Sequence, residues 1–383
     1  MGKEIFDLFQ EIYSVLLPVE FINNKYHGNL YGVKNQKTGI FNIFDASLNI
    51  KDERIHNLGK IISEEEFKKG QERQDILIGV WQDKNLKFYF AGKQIEYKTY
   101  CIESDITSRN KGIVDNIHLK ESVAVIVGCG SVGSTIALEM AKCGVGNFVL
   151  IDNDIFAYHN ISRHQCGILD VGKRKVDALE ERILQINPIA NIKTYFNIIQ
   201  DVFVDELKER LANKNGIIIN CGDNRLSSYY SNSLAIEFNL YFVSVCAAYM
   251  ASYGELFWFI PHKGMPCYGC VYGDNFNVTN NNETIRHWYA GEEQLAKEDF
   301  IPALSVDIDF ISIIASKYAI ELLMLKFPGY TPRYLQHSTP FMFISNFVLD
   351  ERNVSAYGIK EPFQIIKTKT EQRQDCLLCK GKN

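Results

Sequence analysis

The sequence has no excess of basic residues and no long apolar run near its start. Lysine and arginine number 41 against 46 aspartate and glutamate, a formal net charge of −5, so no nucleic-acid partner is expected. Residues 1–21 interleave charges with apolar residues, which predicts an amphipathic helix and neither a signal peptide nor a membrane span. Internal repeats and low-complexity linkers are also absent. With 46% hydrophobic residues, the composition predicts a cytoplasmic globular protein of two or three domains without a membrane partner.

A glycine-rich loop follows an apolar stretch at residues 123–133, which read VAVIVGCGSVG. Gly128, Gly130 and Gly133 have GxGxxG spacing. This order predicts a buried strand, a tight turn that lets backbone amides approach phosphate oxygens, and a helix whose N-terminus faces the anion. A second apolar stretch, NFVLID, ends at Asp152, where an acid usually takes the ribose hydroxyls. On these residues alone, an ordinary NAD-binding unit is the favoured interpretation.

Polar side chains after the second stretch favour a nucleoside triphosphate instead. Asn160 and Arg163 come first, and an arginine offers a planar fork for phosphate oxygens. Lys173 and Lys175 add two point charges. Asp223 follows the apolar stretch GIIINCG, so its carboxylate is expected at the carboxyl end of a strand, where it could hold Mg²⁺ that bridges phosphates. Each residue alone is more typical of a solvated surface, but the set in this order indicates ATP chemistry.

These motifs resemble the ThiF/MoeB superfamily of adenylating enzymes, which is related to ubiquitin activation, over residues 105–383. The resemblance implies an α/β fold, with a Rossmann-like adenylation domain around a mostly parallel sheet. It implies that the glycine loop, the DxD acids, the NxxR and GxxK elements and a later aspartate form the ATP site: Gly128, Gly130, Gly133, Asp152, Asp154, Asn160, Arg163, Gly172, Lys175 and Asp223. His164 follows the arginine where the family often has glutamine, and it is interpreted as a spacer.

The segment Ser108-Arg109-Asn110 is similar to the family's SRQ element, whose arginine reaches the ATP of the partner subunit. The resemblance therefore implies that Arg109 acts across the interface of a homodimer. A closed dimer is also the default for an enzyme whose site is shared between subunits.

Two CxxC pairs form a separate signal. Cys267 and Cys270 make the first pair and Cys376 and Cys379 the second. Four thiolates in two such pairs can complete a closed tetrahedral zinc site, although about a hundred residues between the pairs is longer than in a zinc finger. Disulfides are disfavoured because no secretory signal is recognised. The family resemblance also implies a structural zinc in the C-terminal part.

Residues 1–104 do not fit the ATP domain and predict a small α+β module. After the opening helix come short strands, a polar helix with Ser63 and Glu66 in capping-box spacing, and two strands that flank a turn near Asp83. Its expected role is recognition of a peptide substrate through an exposed strand edge or a helix groove. Dimer packing is the alternative.

The sequence also lacks cysteine throughout residues 271–303, where ubiquitin-activating relatives carry their nucleophile. An enzyme thioester is therefore not expected. The overall plan is similar to the enzymes that adenylate a microcin-type precursor peptide, which favours a carboxylate of a ribosomally made peptide as the substrate, with ATP, Mg²⁺ and structural Zn²⁺. The alternatives are activation of a Gly-Gly-tailed sulfur-carrier or ubiquitin-like protein, a nicotinamide-dependent oxidoreductase, and a protein that only binds a leader peptide.

Overall fold

In the computed structural model, the chain divides into two compact units, Met1–Ser108 and Arg109–Asn383. The structure describes residues 13–48, 50, 52–70, 75–202, 204–222, 224–248, 250–273, 302–347 and 359–380. Among the helices of these ranges, none combines the length and apolarity that spanning a membrane requires.

The first unit is a closed barrel of seven strands with short helices at its connections. Its elements are β1 (Ser14–Pro18), α1 (Val19–Asn23), β2 (Gly28–Lys34), β3 (Ile40–Ile43), β4 (His56–Ser63), α2 (Glu64–Lys69), β5 (Leu77–Gln82), β6 (Asn85–Phe90), β7 (Lys93–Tyr100) and α3 (Ile102–Asp105). The neighbour order is β1-β3-β2-β4-β5-β6-β7, and β7 pairs back onto β1. Because every described strand has two neighbours, the expected free strand edge is absent from the described part of this unit.

The opening helix predicted for residues 1–21 is wrong for residues 14–18, and of its described residues only the last three are helical, at the start of α1. Residues 14–18 form β1, with Val15 and Leu17 fully buried, and residues 1–12 lie outside the described ranges. This segment is a strand because it pairs in parallel with β3 on one side and β7 on the other. Its buried side chains at alternate positions then fit the interior of the barrel. The predicted helix α2 is confirmed, and its capping box joins Ser63 and Glu66 in both directions.

The second unit contains a mixed eight-stranded sheet and seven helices among its described residues. In chain order they are α4 (Asn116–Glu121), β8 (Val123–Val127), α5 (Ser131–Lys142), β9 (Asn147–Ile151), α6 (Lys175–Ile186), β10 (Asn191–Tyr195), α7 (Val204–Leu211), β11 (Gly216–Asn220), α8 (Arg225–Glu237), β12 (Tyr241–Ala248), β13 (Tyr253–Phe259), α9 (Tyr268–Tyr272), α10 (Ser305–Met324), β14 (Phe341–Ser345) and β15 (Ile365–Thr368). Short 3₁₀ turns cover Ser108–Asn110, Tyr158–Asn160, Ile168–Asp170, Ile199–Asp201 and Leu335–His337.

The strand order of this sheet is β10-β9-β8-β11-β12-β13-β14-β15. The first five strands run parallel and the last three antiparallel. Alternate residues of β8 enter two different cores: Ala124 and Ile126 face α5 and α10, whereas Val123 and Val125 face α7 and α8. The order reverses between β8 and β11, and ligands of open α/β sheets bind at the carboxyl ends of strands at such a point. The predicted Rossmann-like α/β class is confirmed.

Candidate nucleotide site and four-cysteine cluster

The glycine loop lies directly after β8, at the point where the strand order reverses. Gly128 has a φ of 87°, and a Cβ added there would lie 3.0 Å from the amide nitrogen of Gly222. A Cβ at Gly133 would lie 1.9 Å from the carbonyl oxygen of Gly128, so this glycine lets α5 pack closely against the strand. A Cβ at Gly130, the N-cap of α5, would meet no atom within 4 Å. The loop therefore leaves open space at the N-terminus of α5, where amides and the helix dipole favour an anion.

Asp152 follows β9 and fixes the shape of this loop. Its Oδ2 accepts a hydrogen bond from the amide of Cys129 (2.7 Å), and its Oδ1 accepts one from the amide of Asp154 (2.8 Å). Burial raises the pKa of Asp152, and the nearby Lys175 ammonium opposes this shift. The carboxylate thus organises the backbone of the loop, a role that the sequence interpretation, which assigns it to the ribose, does not contain.

Lys175 lies at the start of α6 and is held against the same acids. Its side chain is only 12% exposed, and Nζ lies 2.8 Å from Oδ2 of Asp154. Burial alone would lower the pKa of Lys175, but the carboxylates of Asp152 and Asp154 more than compensate, so the pKa is raised. Lys175 is therefore a charged, nearly buried group beside the glycine loop.

Lys173 faces a different set of acids, although only one residue separates it from Lys175. Its Nζ lies 2.6 Å from Glu181 Oε2 and 3.0 Å from Asp170 Oδ1. The structure does not bring its ammonium group to the acids that surround Lys175, so the two predicted lysines belong to separate ion-pair clusters.

Asn160 and Arg163 share one turn after β9. The side-chain oxygen of Asn160 accepts a hydrogen bond from the amide of Ala157 (2.9 Å), and the amide of Arg163 donates to the carbonyl of Asn160 (3.0 Å). The NxxR spacing thus builds the turn itself, and it fixes the point from which the half-buried Arg163 side chain leaves the backbone.

His164 connects this turn to the glycine loop and is not a spacer. The amide of Cys166 donates to Nδ1 (3.0 Å), so Nε2 carries the ring proton and donates it to the carbonyl of Cys129 (2.7 Å). The ring also packs edge-on against Phe156. Burial lowers the pKa of His164 to about 4, which keeps the ring neutral near pH 7. Sequence reasoning missed this role because its two partners are set by the fold, and one of them is distant in sequence.

Arg109 lies far from the loop within its own chain. It is exposed in the turn Ser108–Asn110, and the side chain of the next residue, Asn110, donates to the carbonyl of Lys142 (3.0 Å). Lys142 is the last residue of α5, whereas the glycine loop precedes the first. A helix of 12 residues is about 18 Å long, so Arg109 and the loop flank opposite ends of α5.

Asp223 lies outside the described residues, but its neighbours fix where the chain leaves β11. The amide of Cys221 donates to the carbonyl of Val127 (2.7 Å), the last residue of β8. Asn224 begins α8 by accepting a hydrogen bond from the amide of Leu226 (2.8 Å). Cys221 and Gly222 therefore lie beside the glycine loop at the carboxyl edge of the sheet.

The four CxxC cysteines converge in the core that lies on the α7 and α8 side of the sheet. Cys267, Cys270, Cys376 and Cys379 are all buried, and their Sγ atoms lie within 4.8 Å of one another. Neighbouring pairs are separated by 3.4 to 3.6 Å, close to the edge of about 3.8 Å expected for four sulfurs each 2.3 Å from a zinc ion. Burial raises the pKa of Cys270 to about 11. The donor set fits a closed, soft-metal site.

An open α/β sheet with a glycine-rich loop at its switch point is typical of nucleotide-binding folds, and the buried four-cysteine cluster could hold a metal ion. A family model described as the ThiF family matches residues 108–357. The chain belongs to this family.

Curated relatives and solved structures give more distant likenesses. The chain is 26% identical over 217 residues to the adenylyltransferase and sulfurtransferase UBA4 of Meyerozyma guilliermondii, covering 50% of this chain and 48% of that protein. It is 28% identical over 168 residues to the ubiquitin-like modifier-activating enzyme 5 of Caenorhabditis briggsae, covering 42% and 37%. It is 26% identical to the sulfur carrier protein ThiS adenylyltransferase of Escherichia coli, covering 43% and 64%.

The chain thus spans about half of the length of the UBA4 relative and less than half of the length of the ubiquitin-like modifier-activating enzyme 5. Among solved structures, E. coli MccB with AMPCPP and MccA has a TM-score of 0.49 at 19% identity, covering 72% of this chain and 74% of that one.

Proposed function

We propose that this protein is an ATP-dependent adenylyltransferase that activates the C-terminal carboxylate of a small Gly-Gly-tailed carrier protein. The observation that carries the proposal is the loop of a ThiF-family unit, open at Gly130 and bordered by the charged Lys175. A carboxylate oxygen of the carrier attacks the α-phosphorus of ATP, the bond from that phosphorus to the bridging oxygen breaks, and pyrophosphate leaves. No base is required, because a carboxylate is already ionised near pH 7.

Catalysis then consists of positioning and charge stabilisation. The amides at the start of α5 receive phosphate oxygens, and Asp152 keeps the loop in shape while facing the ribose. Arg163 and Lys175 balance the charge of the departing pyrophosphate, and Asn160 orients the α-phosphoryl group. Asp223 is the proposed ligand of Mg²⁺, which would supply further charge neutralisation. Lys173, held by Asp170 and Glu181, acts through the fold of its segment.

Arg109 reaches the ATP of a second copy of the chain. Its place beside the far end of α5 supports this assignment, because a side chain cannot span a helix of that length. The proposed active form is therefore a closed homodimer in which each nucleotide site takes one arginine from the partner.

The proposed reaction yields an acyl-adenylate, which a second nucleophile must then consume. Cysteine is absent from the sequence of residues 271–303, so no thiol of that segment is available to form a thioester. We therefore assign the next step to a nucleophile from outside this chain.

The carrier is preferred over a peptide because the curated relatives are named as activators of sulfur carriers or ubiquitin-like modifiers. A ribosomally made precursor peptide is the second candidate. The feature that favours it is the barrel of the first unit, which lies outside the residues matched by the family and would serve as the peptide-recognition module.

ATP–pyrophosphate exchange tests the proposal. We expect exchange with a carrier that ends in Gly-Gly, none with the same carrier lacking its last two residues, and loss of exchange in Asp223→Ala. Exchange only with short peptides encoded beside the gene would select the second candidate. If neither the carrier nor the short peptides supported exchange, the result would contradict adenylation altogether.

A further inference from the structure

Three side chains from different elements meet beside the start of α8, and we call them the Arg225 cluster: Arg225, Glu255 and Tyr272. The guanidinium carbon of Arg225 lies 4.0 Å from the ring centre of Tyr272, and Nη2 lies 3.3 Å from Glu255 Oε2. The hydroxyl of Tyr272 donates to the same carboxylate (2.7 Å). Burial raises the pKa of Tyr272, so the hydroxyl keeps the proton that it donates.

The cluster lies at the same edge of the sheet as the nucleotide site. Arg225 is three residues after Gly222, which borders Gly128 of the glycine loop. Glu255 of β13 is in register with Cys246, near the carboxyl end of β12. Along this edge, Asp152 marks the end of β9, the glycine loop the end of β8, and the Arg225 cluster the ends of β11 and β12. The cluster is therefore on the side of the phosphate loop that lies away from the predicted ribose position.

The guanidinium group of Arg225 is held in one orientation, but its hydrogen-bonding capacity is only partly satisfied within the cluster. Its side chain is 54% exposed, whereas that of Glu255 is 13% exposed. Its separations from the Glu255 oxygens, 3.3 and 3.4 Å, exceed the 2.7–2.9 Å typical of strong charge-assisted hydrogen bonds. The short bond from Tyr272 satisfies Glu255, and the aromatic face holds the guanidinium plane. This arrangement restricts the arginine while more than half of it stays open to a ligand.

We propose that Arg225 binds the carboxylate-bearing end of the acyl substrate and determines specificity for it. This inference rests on the proposed adenylation and names the group that recognises the second substrate. A planar guanidinium can take a carboxylate in a two-point contact, and its ring-stacked orientation reduces the entropy lost on binding. The contact keeps the carboxylate beside the phosphate loop before attack. Glu255 and Tyr272 act as positioning residues, since they orient the arginine.

Two measurements on the full chain test the inference, with a Gly-Gly-tailed sulfur-carrier protein as the probe. In pyrophosphate exchange, Arg225→Ala should raise KM for the carrier roughly 10- to 100-fold, with KM for ATP changed by less than about twofold. Arg225→Lys should give an intermediate KM, because it keeps the charge and loses the planar fork. Arg182→Ala, which removes an exposed arginine from α6, is the matched control and should leave both KM values unchanged.

Equilibrium binding separates this inference from the proposed function. The wild type should bind the carrier with a free C-terminal acid more tightly than its C-terminal amide, and Arg225→Ala should abolish that preference. Acid preference that depends on Arg225, without any exchange, would sustain the inference and overturn adenylation of this carrier. Normal exchange with an acid preference unaffected by Arg225→Ala would overturn the inference alone. An equal rise of both KM values in Arg225→Ala would also overturn it, because it would assign Arg225 to the fold of the edge.

Discussion

The second unit carries two polar sites that are built in opposite ways. The four-cysteine cluster is complete within one chain: its four sulfurs are buried and face one another. The candidate nucleotide site lies at the carboxyl edge of the sheet. Its nearly buried cation, Lys175, is paired with the exposed Asp154, and one predicted residue, Arg109, lies near the far end of α5. A closed set of like ligands is suited to holding one ion permanently. A site made of paired charges around open space is suited to a polyanion that enters and leaves.

The largest expected effect is on the closed site. Cys376→Ser should remove a stoichiometric metal and lower the free energy of unfolding by about 3 kcal/mol or more, because metal binding to such a site is coupled to folding. Metal content by mass spectrometry and urea unfolding measure both changes. Cys143→Ser, at the C-terminal end of α5, is the control and should retain the metal. If the wild type contained no metal and its stability did not change on chelation, the contrast between a closed metal site and an open site would be contradicted.

The next prediction separates the two lysines near the open site. Lys175→Ala should lower the pyrophosphate-exchange rate roughly 100- to 1000-fold, as expected for loss of a preorganised charge in a transition state. Lys173→Ala breaks ion pairs that are partly exposed, so it should cost at most about 1 kcal/mol of stability and leave exchange within about threefold. Comparable losses of exchange in both variants would place both ammonium groups at the nucleotide and contradict the orientation seen for Lys173.

A mixing experiment tests whether the open site is shared between two chains. Arg109→Ala and Lys175→Ala should each be inactive alone. When they are unfolded and refolded together, random pairing makes half of the dimers mixed, and each mixed dimer has one site with both wild-type residues. Recovery to about one quarter of wild-type exchange is then expected for a closed dimer. Absence of recovery, with mixed dimers shown by differential tagging, would mean that Arg109 serves its own chain or none.

The parts of this picture that the sequence could predict are those encoded locally. The strand–loop–helix around Gly128 follows from an apolar run, three spaced glycines and a helical pattern. The Ser63–Glu66 capping box is contained in four residues. In each case the partners are near in sequence, so residue type and spacing were enough.

Pairing between distant segments accounts for what was missed. Residues 14–18 have a pattern that suits a helix, but β3 and β7, which come later in the chain, take them into a barrel. The separation of Lys173 from Lys175 depends on Glu181, a turn and more along α6. No local rule specifies which acid a lysine will reach, because both conformations satisfy the same spacing.

His164 gives the smallest predicted effect and the most direct test of how the open site is held together. Its pKa in the folded protein is about 4, below the value of about 6.5 expected in the unfolded chain. The unfolded state therefore binds a proton more readily between these values, and the stability present above pH 6.5 is lost as the pH falls toward 4. From pH 7.5 to pH 5.5, His164 should contribute a decrease of about 1 kcal/mol in the free energy of unfolding.

The variant His164→Gln tests this contribution, because glutamine can still donate to the carbonyl of Cys129 but does not titrate. Between these two pH values, the free energy of unfolding measured in urea should therefore fall by about 1 kcal/mol less in the variant than in the wild type. Parallel curves for the two proteins would mean that the neutral ring does not join the glycine loop to the Asn160–Arg163 turn.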